Sequence, residues 1–243
     1  MRGMGTLVNV LAVVLGGLLG AKLGTYLRPK VSETLMHACG LATIFIGISG
    51  TLSQMFTVEN GRTLSADGTM LIILSLVLGG LLGEMVDLEK QLDRTGEKLR
   101  QLVHAKNDSR FVDGFVSASL IICIGAMAVV GSIQDGLTGN GETLYAKSVL
   151  DLIIVMVLAS TMGIGAAFSA VSVGVYQGLI TLFAVWVAPL LSDSLIQNLS
   201  MVGSVLIFAV GCNVAFGKKF RVGNLLPALL VPVFWEVIDR FWL

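Results

Sequence analysis

Residues 5–24 read GTLVNVLAVVLGGLLGAKLG, with no charged side chain before Lys22 and no polar–apolar alternation. A bilayer core takes about 20 apolar residues per helix, and this stretch has that length. Similar runs recur along almost the whole chain. The first span is placed at about 5–27, and the others at about 35–56, 68–86, 112–134, 145–163, 167–189, 199–216 and 224–242. The composition agrees: 55% hydrophobic and 13% charged residues in 243, with a mean hydropathy of +0.87. Backbone inside a bilayer must satisfy its own hydrogen bonds, which leaves helices or a closed barrel, and continuous rather than alternating runs select helices. The expected fold class is therefore all-α, a polytopic transmembrane helical bundle of about eight spans. It forms a single transmembrane domain over 1–243 and leaves no room for a soluble catalytic domain. The first run is too long for a secretory signal and no convincing cleavage site follows it, so it reads as a retained first span.

The loops give the orientation. Arg28 and Lys30 follow span 1, Lys90, Arg94, Lys98, Arg100, Lys106 and Arg110 follow span 3, and Lys218, Lys219 and Arg221 follow span 7. The alternate side carries only Arg2, Arg62, Lys147 and Arg240. With eight spans the basic loops share one face, which the positive-inside rule assigns to the cytoplasm, with both termini outside. Fusing spans 5 and 6 would put KKFR (218–221) on the wrong side. Residues 87–108 include DLEKQLDRTGEKLRQLVHAK, in which Leu88, Leu92, Leu99, Leu102 and Val103 share one helical face. This is a charged cytoplasmic amphipathic helix. It serves either as an interfacial or partner-binding element or as an extension of span 3 resting on the bundle.

LGGLLG occurs at both 15–20 and 78–83, and IFIGISGTLSQ (44–54) resembles ICIGAMAVVGSIQ (122–134). Spans 1–2 and 3–4 are thus candidates for an internal duplication, of the kind found in transporters; general likeness among Gly-rich helices is the other reading. Many of the 29 glycines fall at small-xxx-small spacing: Gly16/Gly20/Gly24, Gly79/Gly83 and Gly163/Ala167. That spacing lets helices approach closely, within the bundle or across a homodimer seam.

Polar groups inside spans cost free energy unless paired or wetted, so they are the candidate site. Asp151 lies in span 5 with Lys147 one turn earlier. Two readings stand: a structural ion pair with Lys147 reaching outward, and a proton or cation site. Ser160, Thr161 and Ser169, with the intervening glycines, mark the junction of spans 5 and 6. That junction is either a cytoplasmic turn or an unwound segment whose backbone binds a substrate. Gln134, Asp135, Gln177 and Asn213 complete the expected solute- or ion-binding set. Asn9, Gln54 and Asn198 are further amides, for which clasping neighbouring helices is the commoner role. Asp151 and Ser160 lie on opposite faces of an ideal helix, so Asp151 is expected to serve an outer vestibule with Gln134 and Asp135, and the junction a separate inner site. Pro227 and Pro232 are expected to kink span 8.

Absences narrow the function. Cys39, Cys123 and Cys212 lie in apolar runs without metal-ligand spacing, and His37 and His104 are far apart. No Walker motif, dinucleotide fingerprint, HExxH or TVGYG filter is found. The expectation is no metal, no cofactor, no catalytic residue and no enzyme activity. A formal net charge of zero gives no sign of nucleic acid.

Five stretches occur in order: GAMAVVGSIQDGL (125–137), AKSVLD (146–151), ASTMGIGAAFSA (159–170), YQGLITL (176–182) and NLLPALL (224–230). Together with GTLVNVLAVVLGGLLG (5–20) they resemble the uncharacterised bacterial inner-membrane family typified by YdfK and YqgA, over essentially the whole chain. The resemblance implies a small multi-pass protein of the bacterial inner (plasma) membrane with a transport role. It carries over no substrate and no catalytic residue. The function expected is transport of a small polar solute or ion. The alternatives are a scaffold or sensor acting through the 87–108 helix, and a passive channel.

Overall fold

The computed structural model describes residues 2–26, 28–59, 63–102, 110–123, 126–187, 192–217 and 219–242. Arg62, Val103, His104, Lys106 and Lys218 lie outside the described residues, as do the side chains of Cys39, Leu92, Asp239, Arg240 and Trp242.

Helix α1 (Met4–Gly24) leads to α2 (Pro29–Met55), whose N-terminus carries a proline where the missing N–H is not needed. Strands β1 (Phe56–Glu59) and β2 (Thr63–Ala66) form an antiparallel hairpin with Phe56 opposite Ala66. Then come α3 (Thr69–Val86), α4 (Leu88–Leu102), α5 (Phe111–Cys123) and α6 (Ala126–Thr138). Helix α7 (Glu142–Met162) ends at Gly163, whose φ of 85° suits glycine, and a 3-10 turn (Ile164–Phe168) reverses the chain into α8 (Ser169–Leu182). Helices α9 (Ala184–Val187) and α10 (Asp193–Phe216) follow. The last expected span is three pieces: α11 (Val222–Leu225), a 3-10 turn at Leu226–Leu229 holding Pro227, and α12 (Leu230–Trp242). The chain is thus a polytopic helical bundle. Among the described residues six helices are long and apolar enough to cross a membrane, and α5 with α6 forms one further candidate bent by 65°.

Small residues set which faces turn inward. Helix α1 is apolar all round, yet Gly5, Thr6, Asn9, Ala12, Val13, Gly16, Gly17 and Gly20 are buried, while Leu7, Leu11, Leu15, Leu18 and Leu19 are exposed. Helix α3 likewise buries Ser75, Gly79 and Gly83 and exposes its leucines. Without water to drive association, helices in lipid gain from close backbone packing. Gly16, Gly20 and Gly24 lie on the backbones of Leu152, Met156 and Ser160 of α7, so α1 and α7 run parallel. Gly40 and Gly47 of α2 meet Ala215 and Phe208 of α10, and Gly79 and Gly83 of α3 meet Ala228 and Asn224; both pairs are antiparallel. The two LGGLLG segments therefore do the same job on different partners. It also follows that the glycine faces considered for a homodimer seam are filled from within the chain.

The bent pair is a complete crossing rather than a re-entrant loop. Phe111 at the start of α5 packs on Phe168 beside the 3-10 turn, ring centroids 5.3 Å apart. Ser119 bonds Ser172 of α8 at 2.8 Å, and Gly136 near the end of α6 meets Thr181 and Ala184. Thus α5–α6 runs beside α8 from one end of the bundle to the other.

Candidate functional site

The polar groups gather where α5 breaks from α6. An unbroken helix pairs each carbonyl with the N–H four residues later, and the last carbonyls of a helix need other donors. At this bend the Ile122 carbonyl accepts from the Lys147 ammonium of α7 at 2.8 Å. A cation at a helix C-terminus is also favoured by the helix dipole. Lys147 pairs in addition with Asp151 Oδ2, one turn along its own helix. Their side chains are 8% and 5% exposed, which shows that Lys147 reaches inward to the break and not outward to the interface.

Helix α1 supplies Asn9, which is fully buried. Its Nδ2 donates to Asp151 Oδ2 at 3.0 Å and to Gln177 Oε1 of α8 at 3.2 Å. Five residues from four helices, Asn9, Ile122, Gln177 and the Lys147–Asp151 ion pair, so meet at one place. Two atoms are left over: Asn9 Oδ1 and Gln177 Nε2 are buried without a hydrogen-bond partner. Asn9 is five residues into α1, about 7–8 Å along its axis, so the cluster lies on the N-terminal side of the bundle's middle.

Asp135, also fully buried, lies one layer outward. It accepts from the backbone N–H of Gly3 at 3.1 Å, Gly5 at 2.9 Å and Thr6 at 3.3 Å. These amides form the start of α1 and would otherwise be orphaned. A carboxylate there is favoured by the dipole as well. Asp135 thereby locks the end of α6 to the start of α1.

The remaining expected site residues are placed elsewhere. Gln134 is exposed and accepts from Thr143 Oγ1 at 2.8 Å, bracing the α6–α7 turn. Ser160, Thr161 and Ser169 donate to carbonyls of their own turn, Val157, Leu158 and Ala166, at 2.7, 3.0 and 2.7 Å. Asn213 holds the turn after α10: Nδ2 donates to Phe220 O at 2.7 Å, and Oδ1 accepts from Lys219 N and Phe220 N at 2.8 Å. Of the eight expected residues the structure therefore unites Asp151 and Gln177, with Asp135 adjacent.

A cavity of about 570 Å³ opens at the other end, among the basic loops. Glu89 and Asp93 of α4, Arg110, and Asp113 of α5 line it together with the apolar Leu120, Met162 and Val210. Leu120, in its lining, is two residues before Ile122, whose carbonyl belongs to the polar cluster. In sequence between its lining residues Phe220 and Val222, Arg221 bonds Glu84 at 2.6 and 2.9 Å and Asp87 at 2.7 Å. Asn224 Oδ1 accepts the Glu89 N–H at 2.7 Å, docking α4 on α11.

The chain belongs to the family described as "Protein of unknown function (DUF554)", whose model matches residues 4–237. It is similar to "Uncharacterized membrane protein YdfK" of Bacillus subtilis (strain 168), 31% identical over 94% of this chain and 93% of that one. It is also similar to "Uncharacterized protein YqgA" of Escherichia coli (strain K12), 30% identical over 95% of this chain and 94% of that one. No solved structure matches the chain.

Proposed function

We propose that this DUF554 member is a transporter that carries a small polar solute or ion across the bacterial inner membrane. The observation that carries the reading is the broken span: a buried ammonium holds the Ile122 carbonyl and shares Asp151 with Asn9 in the interior of the bundle. Desolvating an ion pair costs several kcal/mol per ion, and glycine packing alone would join these helices without it. Broken helices with exposed terminal carbonyls at depth are the usual material of transport sites. The cavity at the basic end, lined by Leu120, Met162 and Val210 among others, supplies an approach from one side. The polar cluster is complete within one chain, so the reading needs no second copy.

The test is flux after reconstitution in liposomes. A panel of alkali cations, organic cations, amino acids and small carboxylates, read as currents on a supported membrane, should contain a substrate moved by the wild type. Lys147→Met/Asp151→Asn, which removes both buried charges together, should remove that flux while the protein still folds. Equal flux in that double variant would overturn the assignment of the site.

The basic end is taken as cytoplasmic, which puts both termini outside. Asn140 follows α6 at the end where Asp135 binds Gly3, and Lys98 lies on α4 at the opposite end. With Cys39, Cys123 and Cys212 replaced, Asn140→Cys should react with an impermeant maleimide in intact cells and Lys98→Cys only after lysis. The reverse pattern would invert the orientation.

A further inference from the structure

The ion pair has features that a structural clasp does not need. The Lys147 ammonium sits among oxygens of the kind that hold an alkali cation: a carboxylate oxygen of Asp151 and a main-chain carbonyl at a helix end, Ile122 O. A third oxygen, Asn9 Oδ1, belongs to the residue already bonded to the same carboxylate, and it is buried with no donor. A buried acceptor left without a donor is costly. The ammonium does not meet that need, but a second occupant would.

We propose that Lys147 is the resident occupant of a monovalent-cation site, in which Asp151, Ile122 O and Asn9 Oδ1 bind an alkali cation when the ammonium withdraws. The proposal rests on the transport reading and names the class of its coupling ion. Charge balance selects a single positive charge. Asp135 is committed to the three N–H groups at the start of α1. Asp151 alone therefore remains for exchange, and a divalent ion would be left half neutralised. Among the described residues no group of three or more His, Cys, Asp or Glu side chains stands ready for a metal. Carboxylate, carbonyl and amide oxygens are hard ligands that suit a hard cation. Exchange also has a mechanical consequence. When the ammonium leaves, the end of α5 loses its donor, so occupancy of the site is coupled to the bend between α5 and α6.

The test is equilibrium binding by the purified full chain in detergent. Melting is followed in sodium chloride against choline chloride at equal ionic strength, with lithium and potassium chloride as further arms. Lys147→Gln removes the competitor, so sodium should stabilise this variant saturably, with half-saturation at least ~10-fold lower than in the wild type, because the competent state no longer has to be uncovered. Adding Asp151→Asn should abolish the effect. Equal melting of Lys147→Gln in choline and in all three alkali chlorides overturns the proposal, as does alkali-cation dependence that survives Asp151→Asn. If Lys147→Gln yields no folded protein, radioactive sodium binding to the wild type decides. Saturable binding that is absent from the Lys147→Met/Asp151→Asn double variant is expected, and no saturable binding overturns the proposal. Flux without sodium-specific binding would remove this inference and keep the transport reading; sodium binding without any flux would do the reverse.

Discussion

Lys147→Met is expected to lose about 3–5 kcal/mol of stability in a buffer without alkali cations, the usual cost of orphaning a buried charge. Folded protein should then be scarce. The substitution leaves Asp151 with one neutral donor, Asn9 Nδ2, and leaves the Ile122 carbonyl without the ammonium. Lys147→Met/Asp151→Asn removes both charges together. Its side-chain oxygen at position 151 still accepts from Asn9, so most of the loss should return. Size-exclusion profiles and melting in detergent read the stability, and flux in liposomes reads the function. A double variant that folds but does not transport assigns Asp151 to the transport cycle. One that folds and transports normally leaves the pair as a clasp and takes the site away from the transport reading.

Much of the fold was legible because the bilayer imposes it. Runs of about 20 apolar residues must be helices; the expected 68–86 and 145–163 lie close to Thr69–Val86 and Glu142–Met162, whereas the helices expected from 35 and 199 start six residues earlier, at Pro29 and Asp193. The junction near Gly163 was left open between a hairpin and an interrupted element, and φ of 85° at that glycine makes it a hairpin. Pro227 signals the broken last span, since it lies in the 3-10 turn, whereas Pro232 falls in the first turn of the continuous α12. The break in the fourth span was missed. It carries no proline and its apolar run is continuous, so hydropathy passes straight through it. The only trace was Gly125 in mid-run, in a chain where glycine is common.

That omission explains the partial reading of the site. Asp151 and Lys147 stood out, being charged and one turn apart, but the partner that turns Lys147 inward is a main-chain carbonyl, which no side-chain pattern reveals. Asn9 was noted as one amide among several because its meeting with Gln177 depends on α1 and α8 running antiparallel. Ser160, Thr161 and Ser169 misled in the opposite way. Small hydroxyl residues in membrane helices bond back to their own turn, so their presence does not separate a site from a well-satisfied helix end.

Gly20→Ile should be the other severe substitution. A Cβ at Gly20 would fall on the Met156 carbonyl, and the positions one turn either side, Gly16 and Gly24, lie on the Leu152 and Ser160 carbonyls in the same way. A backbone carbonyl within a helix cannot swing aside as a side chain can, so α1 must lift from α7 along the whole parallel contact. Overpacking typically costs about 1–3 kcal/mol, and here the upper end is expected because helix separation also disturbs Asn9. Asn9 is eleven residues away on the same helix, roughly 16–17 Å along the axis, yet its bonds to Asp151 and Gln177 depend on how α1 sits. Gly178→Ala on α8 is the matched control: nothing lies within 4 Å of an added Cβ there. The better helix propensity of alanine should leave stability unchanged or up to about 1 kcal/mol higher. Melting in detergent compares the two, and Gly20→Ile melting with Gly178→Ala would mean that α1 does not pack on α7 through its glycines. A large loss at Gly20 with flux abolished in the folded remainder would tie the glycine contact to the polar cluster, since the same parallel register that buries Gly20 on Met156 brings Asn9 to the ion pair.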